Sequence, residues 1–173
     1  MKTPMKTDFE KDSGKNSYLT FRLEEEQYAV HVNNVLNILE LPNITKIPDT
    51  PDYMRGVINL RGTVLPLIDT RIKLNMGSTE YTDNTCIVVM ETGKNGEKIY
   101  FGSLVDQVES VHKISEDEIK SPSDLGNIYK SRFITGIAEK DSDFILVLDI
   151  DKMFDSDEME SLKENTELNS EQI

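Results

Sequence analysis

The sequence predicts a mostly β protein made of two similar small barrels packed together. Apolar and polar residues alternate with period two over most of residues 17–154, as they do in half-buried strands. Apolar residues at helical spacing occur only in two short stretches of that span. A segment from Gly56 to Asp69 also recurs as Gly136 to Asp149, and a repeat of this kind indicates two related structural units.

The first half opens with two predicted strands. Tyr18–Leu23 alternates, a short acidic turn follows, and Gln27–Val32 returns as the second strand. Val32, Val35 and Ile38 then recur every third residue, which predicts a short helical turn with an apolar stripe. Such a stripe marks a partner site where it is exposed and belongs to the core where it is buried. The sequence leaves these two alternatives open.

A hairpin with a capped end follows in the same half. Gly56–Ile58 and Val64–Ile68 are apolar runs on either side of a turn that contains Gly62. Pro66 has no backbone donor, so its strand is expected at a sheet edge or next to a bulge. Asp69 directly follows the second run, where a carboxylate usually caps backbone N–H groups.

The second half repeats this order. Thr85–Met90 is a predicted strand, residues 93–96 form a glycine-bounded turn, and Ile99–Phe101 is the returning strand. The segment that ends at Asp149 completes the half. Helical spacing recurs between these two parts, at Val105, Val108 and Val111.

The two ends of the chain differ from its middle. Residues 1–16 are polar and are expected to be flexible, and residues 155–173 carry seven acidic side chains against Lys163 alone. Such a stretch buries too little apolar surface to offset its ordering entropy, so we expect a disordered acidic tail. A short helix in the tail is compatible with the sequence but not required by it. The folded part is then 17–154, with barrels at about 17–80 and 81–154 and an exchange of strands between them left open.

Composition excludes several classes of protein. The 173 residues carry a formal net charge of −13 and a pI near 4.6, which argues against nucleic-acid binding. No apolar run approaches the roughly 20 residues of a membrane helix, and the polar N-terminus does not have the apolar stretch of a secretory signal. A single cysteine, Cys86, cannot form an internal disulfide. We therefore expect a soluble cytoplasmic protein.

A search for catalytic chemistry gives a negative expectation. His31 and His112 have no partners at metal-ligand spacing, and Cys86 opens an apolar strand as a small core residue would. Neither glycine-rich phosphate-binding pattern occurs. Asp69 and Asp149 are better explained as caps than as a catalytic carboxylate pair. We expect no active site, no metal and no cofactor.

One long string of residues resembles a known family. Tyr53–Asp69, with the sequence YMRGVINLRGTVLPLID, resembles the central signature of the CheW family, the adaptors of bacterial chemotaxis. Ile47–Pro51, Leu104–Val108 and Leu148–Lys152 resemble the family's other landmarks and stand in the same order. The resemblance covers about residues 17–154.

The resemblance implies a fold and a function. It implies two five-stranded, SH3-like β-barrels around a shared hydrophobic core, in a protein that is not an enzyme. It further implies an adaptor that couples the cytoplasmic tips of membrane chemoreceptors to the histidine kinase CheA by binding both. The kinase is bound through its regulatory domain, the complex can assemble into CheA/CheW rings, and the adaptor lies in the cytoplasm at the receptor array without entering the membrane.

The resemblance also implies contact residues. The kinase contact falls on apolar positions that match Leu19, Val32, Val35 and Ile38. The receptor contact falls on a groove between the barrels, near positions that match Val35, Asn37, Arg61 and Val108. Relatives often carry a glutamate where this chain has Asn37, so its pairing with Arg61 is in doubt here. Glu40 is expected to replace that acid if the segment is a turn of helix.

Three alternatives stay open at this point. A scaffold of the same fold in a paralogous receptor–kinase pathway, such as one for surface motility, would differ only in its partners. An enzyme on a small β-barrel would need a polar cluster that the sequence does not show. A secreted β-domain would need a signal sequence. Too few residues follow Phe154 for the fused receiver domain of CheV-type relatives.

Overall fold

The computed structural model describes residues 16–93, 96–121, 124 and 132–171, with side chains described up to residue 163. It confirms a mostly β fold, and the described residues include two helices, α1 (Thr70–Lys73) and α2 (Ser156–Glu171). Short 3-10 turns lie at Val32–Asn34, Glu116–Glu118 and Ile150–Lys152. The strands are β1 (Ser17–Leu23), β2 (Glu26–His31), β3 (Val35–Glu40), β4 (Met54–Leu60), β5 (Thr63–Asp69), β6 (Cys86–Thr92), β7 (Ile99–Val105), β8 (Gln107–Lys113), β9 (Ile119–Lys120), β10 (Ile134–Lys140) and β11 (Asp143–Leu148).

The strands form two sheets that interleave along the chain. One sheet has the order β8-β1-β2-β11-β10-β9 and the other the order β3-β6-β7-β5-β4. The second sheet uses one continuous stretch of chain, whereas the first joins the two ends of the folded part. The sheets therefore exchange strands between the two halves of the sequence, the alternative that the sequence left open, and a boundary near residue 80 does not separate them.

The internal repeat is visible in the pairing of the strands. In each sheet a β-hairpin, β4–β5 or β10–β11, adds its second strand in parallel to another hairpin. The register shifts at Gly56 in one hairpin and at Gly136 in the other. The backbone N–H of Asp69 then donates to Tyr53 O, and that of Asp149 donates to Phe133 O.

The hairpin turns explain why the strands return where they do. Leu60 and Thr63 are joined by two residues, Arg61 and Gly62, both with positive φ, a geometry that matches the twist of the flanking strands. Asn59 Oδ1 accepts a hydrogen bond from the Gly62 N–H at 2.8 Å and fixes this turn. Pro66 lies in the internal strand β5 and next to a bulge, the second of the two expected positions, because the β4–β5 register shifts between Met54 and Gly56 beside it. It precedes Leu67, where the pairing with β7 begins, so its missing N–H lies outside that ladder.

The two predicted helical stretches are mostly strand, although Val32 of the first lies in a 3-10 turn, Val32–Asn34. Val35 and Ile38 lie in β3, and Val108 and Val111 lie in β8. Each strand contains a bulge between its two apolar residues, since the register shifts between Val35 and Asn37 in β3 and opposite Thr20/Phe21 in β8. An extra residue in a strand puts positions three apart on the same face, which imitates helical spacing.

A shared hydrophobic core joins the two sheets. It contains buried residues from both, among them Phe21 and Val30 of one sheet and Val88 and Phe101 of the other. Each barrel also has a smaller interior cluster of its own. The shared core that the family resemblance implies is therefore present.

The C-terminal segment forms a helix, not the disordered tail that its acidic composition predicts. Helix α2 runs over Ser156–Glu171, and its side chains Met159 and Leu162 are buried in the shared core. Glu158 accepts a hydrogen bond from Lys73 Nζ at 2.7 Å. Burial of two side chains and an ion pair supply the stabilisation that the segment does not have by itself. The expected flexible segment 1–16 lies, up to residue 15, outside the described residues, as do positions 94 and 95 of the turn at 93–96.

Candidate interaction surfaces

The four residues expected to contact the kinase belong to one cluster but differ in exposure. Leu19 in β1 is 0% exposed, Val32 is 4% exposed and Val35 is 7% exposed. Ile38, opposite Val88 in the adjacent strand β6, is half-buried and packs on the shared core. Of the two alternatives that the sequence left open for the stripe, burial in the core holds for Val32 and Val35, and Ile38 is partly exposed.

Among the residues expected to contact the receptor, Asn37 is internal. It is 4% exposed, and its Oδ1 accepts a hydrogen bond from the Ile38 N–H at 2.8 Å. The amide thus satisfies the backbone beside the bulge of β3. Glu40 is exposed at the end of the same strand, and no ion pair joins it to Arg61 within the described residues. The helical turn that would have brought Glu40 into the place of the acid does not exist.

Arg61 and Val108 are the accessible members of the receptor set. Arg61 is exposed in the β4–β5 turn, with φ of 54°. Val108 is half-buried in β8, opposite Phe21, and packs on the shared core as Ile38 does. Cys86, in β6 of the other sheet, also packs on this core. Val111 of β8 is also half-buried against this core.

The polar residues examined for chemistry have structural partners. Asp69 accepts a hydrogen bond from the Ile72 N–H and Asp149 from the Asp151 N–H, so both predicted caps are confirmed. His31 Nδ1 accepts from the Asn33 N–H at 3.1 Å, and His112 Nε2 lies 2.9 Å from Ser110 Oγ. In the described part of the chain, no group of three His, Cys, Asp or Glu side chains could hold a metal ion.

Comparison with known proteins gives the family. The model of the CheW-like domain matches residues 17–158. The chain belongs to the CheW family. The chemotaxis protein CheW of Klebsiella aerogenes is 30% identical over 142 residues, which cover 82% of this chain and 83% of that protein. The chemotaxis protein CheW of Thermotoga maritima is 30% identical over 139 residues, which cover 79% of this chain and 86% of that protein.

A solved structure supports the same assignment. The crystal structure of the scaffolding protein TtCheW from Thermoanaerobacter tengcongensis superposes with a TM-score of 0.71 at 30% identity. The matched region covers 82% of this chain and 94% of the TtCheW chain. The two-barrel CheW fold is therefore established for this chain. None of the helices in the described residues is long and apolar enough to span a membrane.

This CheW-like domain has a further exposed surface that the sequence analysis missed. Phe144, near the tip of the β10–β11 hairpin, is 62% exposed and borders a shallow pocket of about 430 Å³. Lys120 and Ile137 also line it. Strand alternation was the available signal, because Ala138 and Ile145 face the barrel interior and their neighbours must face outward.

A second missed surface lies on the other barrel. Lys46 and Arg55 line a hollow of about 410 Å³ together with Tyr81, which is 46% exposed. Ile47, also exposed, directly follows Lys46 in the chain. The remaining lining residues are Leu41, Pro42, Asn43 and Ile44. We call this site the basic hollow.

Proposed function

We propose that this CheW-family protein is a non-catalytic adaptor that couples the cytoplasmic tips of transmembrane chemoreceptors to the histidine kinase CheA. It acts in the cytoplasm, at the receptor array, and takes part in CheA/CheW rings there. The proposal rests on family membership and on one observation about the fold. Two barrels with a continuous core present half-buried apolar residues, Ile38 and Val108, on two different edge strands, one in each sheet.

In this proposal Ile38 makes the kinase contact, and the buried side chains of Leu19, Val32 and Val35 hold it in place from the core. Val35 lies on the core side of the same strand, and Leu19 pairs with Val111 of β8. Side chains buried to this degree cannot reach a partner, but they fix the edge strand that presents Ile38. A half-buried apolar side chain can complete its burial against the regulatory domain of the kinase.

The receptor contact, in this proposal, uses Arg61 and Val108. Arg61 presents an exposed guanidinium on a fixed turn, and such a group offers several donors to polar or acidic groups of a partner. Val108, in β8, supplies half-buried apolar surface. Val35 and Asn37 contribute indirectly, by holding the bulge of β3.

Calorimetric titration against the regulatory domain of the CheA encoded in the same genome tests the kinase contact. Ile38→Asp should weaken binding at least about tenfold, because it places a charge in an apolar contact. Ile47→Asp is the matched control, since Ile47 is exposed on a different surface. Val35→Asp is not a useful probe, because a buried aspartate would unfold the domain.

Each outcome of this titration has a separate meaning. Binding that Ile38→Asp weakens and Ile47→Asp spares supports the adaptor function and the position of the contact. No binding by the folded wild type removes this kinase as the partner and favours a paralogous pathway. Binding equal for the wild type and Ile38→Asp keeps the function and refutes the position.

Co-sedimentation with receptor-tip fragments tests the receptor contact. Arg61→Ala should reduce the bound fraction without changing kinase affinity, because Arg61 lies in a turn away from Ile38. Arg132→Ala, which truncates another exposed arginine, is the control. Equal losses in the two variants would show that general charge, and not Arg61 in particular, holds the receptor.

A further inference from the structure

The basic hollow is built on a buried carboxylate. Asp69 is 0% exposed and accepts hydrogen bonds from the Thr79 N–H at 2.9 Å and from Thr79 Oγ1 at 2.6 Å. Arg55 Nη1 donates to the same carboxylate at 2.9 Å. A buried, fully bonded anion therefore fixes the position of the arginine. Its guanidinium is preorganised before any partner binds.

The cations of the hollow keep unused donors. Arg55 Nη2 donates to Tyr81 Oη at 2.9 Å, and the guanidinium lies over the Tyr81 ring, 5.1 Å from its centroid. The Arg55 Nε–H has no partner within the described residues, and in the same part of the chain Lys46 has no carboxylate within 4 Å. Two cations with free donors thus share one hollow in a chain with a net charge of −13.

The walls of the hollow are apolar. Leu41 and Ile44 line it, and Tyr81 stands at its rim with nearly half of its surface exposed. A volume of about 410 Å³ accommodates a few side chains and not a folded domain. Apolar walls beside fixed cationic donors match a segment in which a carboxylate neighbours an apolar side chain.

We propose that the basic hollow binds a short acidic segment of a partner protein, with a carboxylate on Arg55 and Lys46 and an apolar side chain against Leu41 and Ile44. Charge complementarity selects this occupant over a second copy of the chain, because two chains of charge −13 repel each other. The site is separate from Arg61, which lies six residues further along the chain in the turn after β4, or about 20 Å away along an extended strand. The inference therefore does not depend on the proposed kinase and receptor contacts.

NMR titration of the full ¹⁵N-labelled chain tests the proposal. The probe is the peptide acetyl-Glu-Leu-Glu-Leu-Glu-amide, and the control peptide has glutamine in place of each glutamate. The acidic peptide should shift the amide signals around Lys46, Arg55 and Tyr81 in a saturable way. Lys46→Glu should weaken its binding at least about tenfold, because it removes one attraction and adds a repulsion.

Two further variants keep the test decisive. Arg55→Gln should abolish binding, and Arg132→Ala, at an exposed arginine outside the proposed sites, should leave it unchanged. Lys46 is a surface residue, so Lys46→Glu remains informative if Arg55→Gln does not fold. Equal shifts with the neutral peptide, binding unchanged in Lys46→Glu, or shifts confined to other surfaces would each overturn the proposal. Self-association that Lys46→Glu abolishes, without any peptide binding, would assign the hollow to a second copy and overturn it as well.

Discussion

The ion pair between Lys73 and Glu158 tests how helix α2 is held on the two sheets. Lys73 is 8% exposed, and its Nζ donates to Glu158 Oε2 at 2.7 Å. The ammonium also lies 4.4 Å from the centroid of the Tyr53 ring and 5.1 Å from that of Phe154. The substitution Glu158→Gln removes the counter-charge and keeps an oxygen for the Asp155 N–H, which now donates to Glu158 Oε1 at 2.9 Å.

The burial of the two side chains determines how much stability the protein should lose when either is replaced. Removal of one partner of a buried pair costs about 3–5 kcal/mol, because the other charge stays buried. Here the Glu158 side chain is 23% exposed and the two rings still attract the ammonium, so Glu158→Gln should cost about 2–3 kcal/mol. Lys73→Met leaves a partly solvated carboxylate and should cost about 1–2 kcal/mol. The double variant should lose at least about 1 kcal/mol less than the sum of the single losses.

Urea unfolding followed by circular dichroism at pH 7 measures these free energies. Lys163→Gln is the control, because it removes an ion pair with Glu97 in which the side chains are 37% and 50% exposed. Such a pair contributes at most about 1 kcal/mol. A loss for Glu158→Gln no larger than that of the control, or strictly additive losses in the double variant, would refute the anchoring role of the pair.

The same pair predicts a dependence on pH. Burial by itself would raise the pKa of the Glu158 carboxyl, but the hydrogen bonds from Lys73 and from the Asp155 backbone outweigh burial and lower it. A carboxyl with a lowered pKa in the folded state stabilises the fold at neutral pH and loses this contribution as it is protonated. The stability difference between wild type and Glu158→Gln should therefore be full at pH 7 and should shrink below about pH 4.3, the usual glutamate value.

Three other predictions concern the core and its edges. Gly56→Ala should lower the free energy of unfolding in urea by more than about 2 kcal/mol, because its Cβ would lie 2.2 Å from Thr45 O. Gly77→Ala, where φ is positive but the space around the residue is open, should lower it by about 1 kcal/mol. Equal losses would argue against the clash. Burial raises the pKa of the Cys86 thiol to about 11. The folded protein should therefore react with iodoacetamide at pH 8 at least tenfold more slowly than the unfolded protein, and equal rates would contradict this. Val35→Asp should cost more than about 3 kcal/mol and Ile38→Asp less than about half of that, whereas similar losses would mean that Ile38 is core as well.

Local features of the fold were predictable because they depend on neighbours in the sequence. The hairpin around Gly62 follows from two apolar runs at turn distance, and Asp69 and Asp149 cap because each directly follows a strand. The repeat of these elements is also present in the structure, where the strands of the two sheets pair in the same pattern. What the sequence could not provide was strand order, since β2 pairs with β11 across more than a hundred residues.

The errors have specific physical causes. Spacing of three in Val35/Ile38 and Val108/Val111 comes from a bulge at the equivalent place in both edge strands, a feature that periodicity alone cannot distinguish from a helix. Helix α2 was missed because composition ignores tertiary partners. The helix carries a net negative charge, but Leu162 is buried in the shared core and Lys73 forms an ion pair with Glu158.

The exchange of strands between sheets bears directly on what an adaptor must do. Asp106, between β7 and β8, lies where the chain crosses from one sheet to the other, and its N–H donates to Arg22 O at 3.1 Å. Its carboxylate accepts from the Glu24 N–H at 2.5 Å and from Arg71 Nη2 at 2.6 Å. One side chain thus joins the β1–β2 turn of the first sheet to α1, which follows β5 of the second. A hinge between the barrels would have to break these bonds and open the shared core. The partners proposed to bind at Ile38 and at Arg61 would consequently be held at a fixed distance and orientation, which the proposed adaptor function requires.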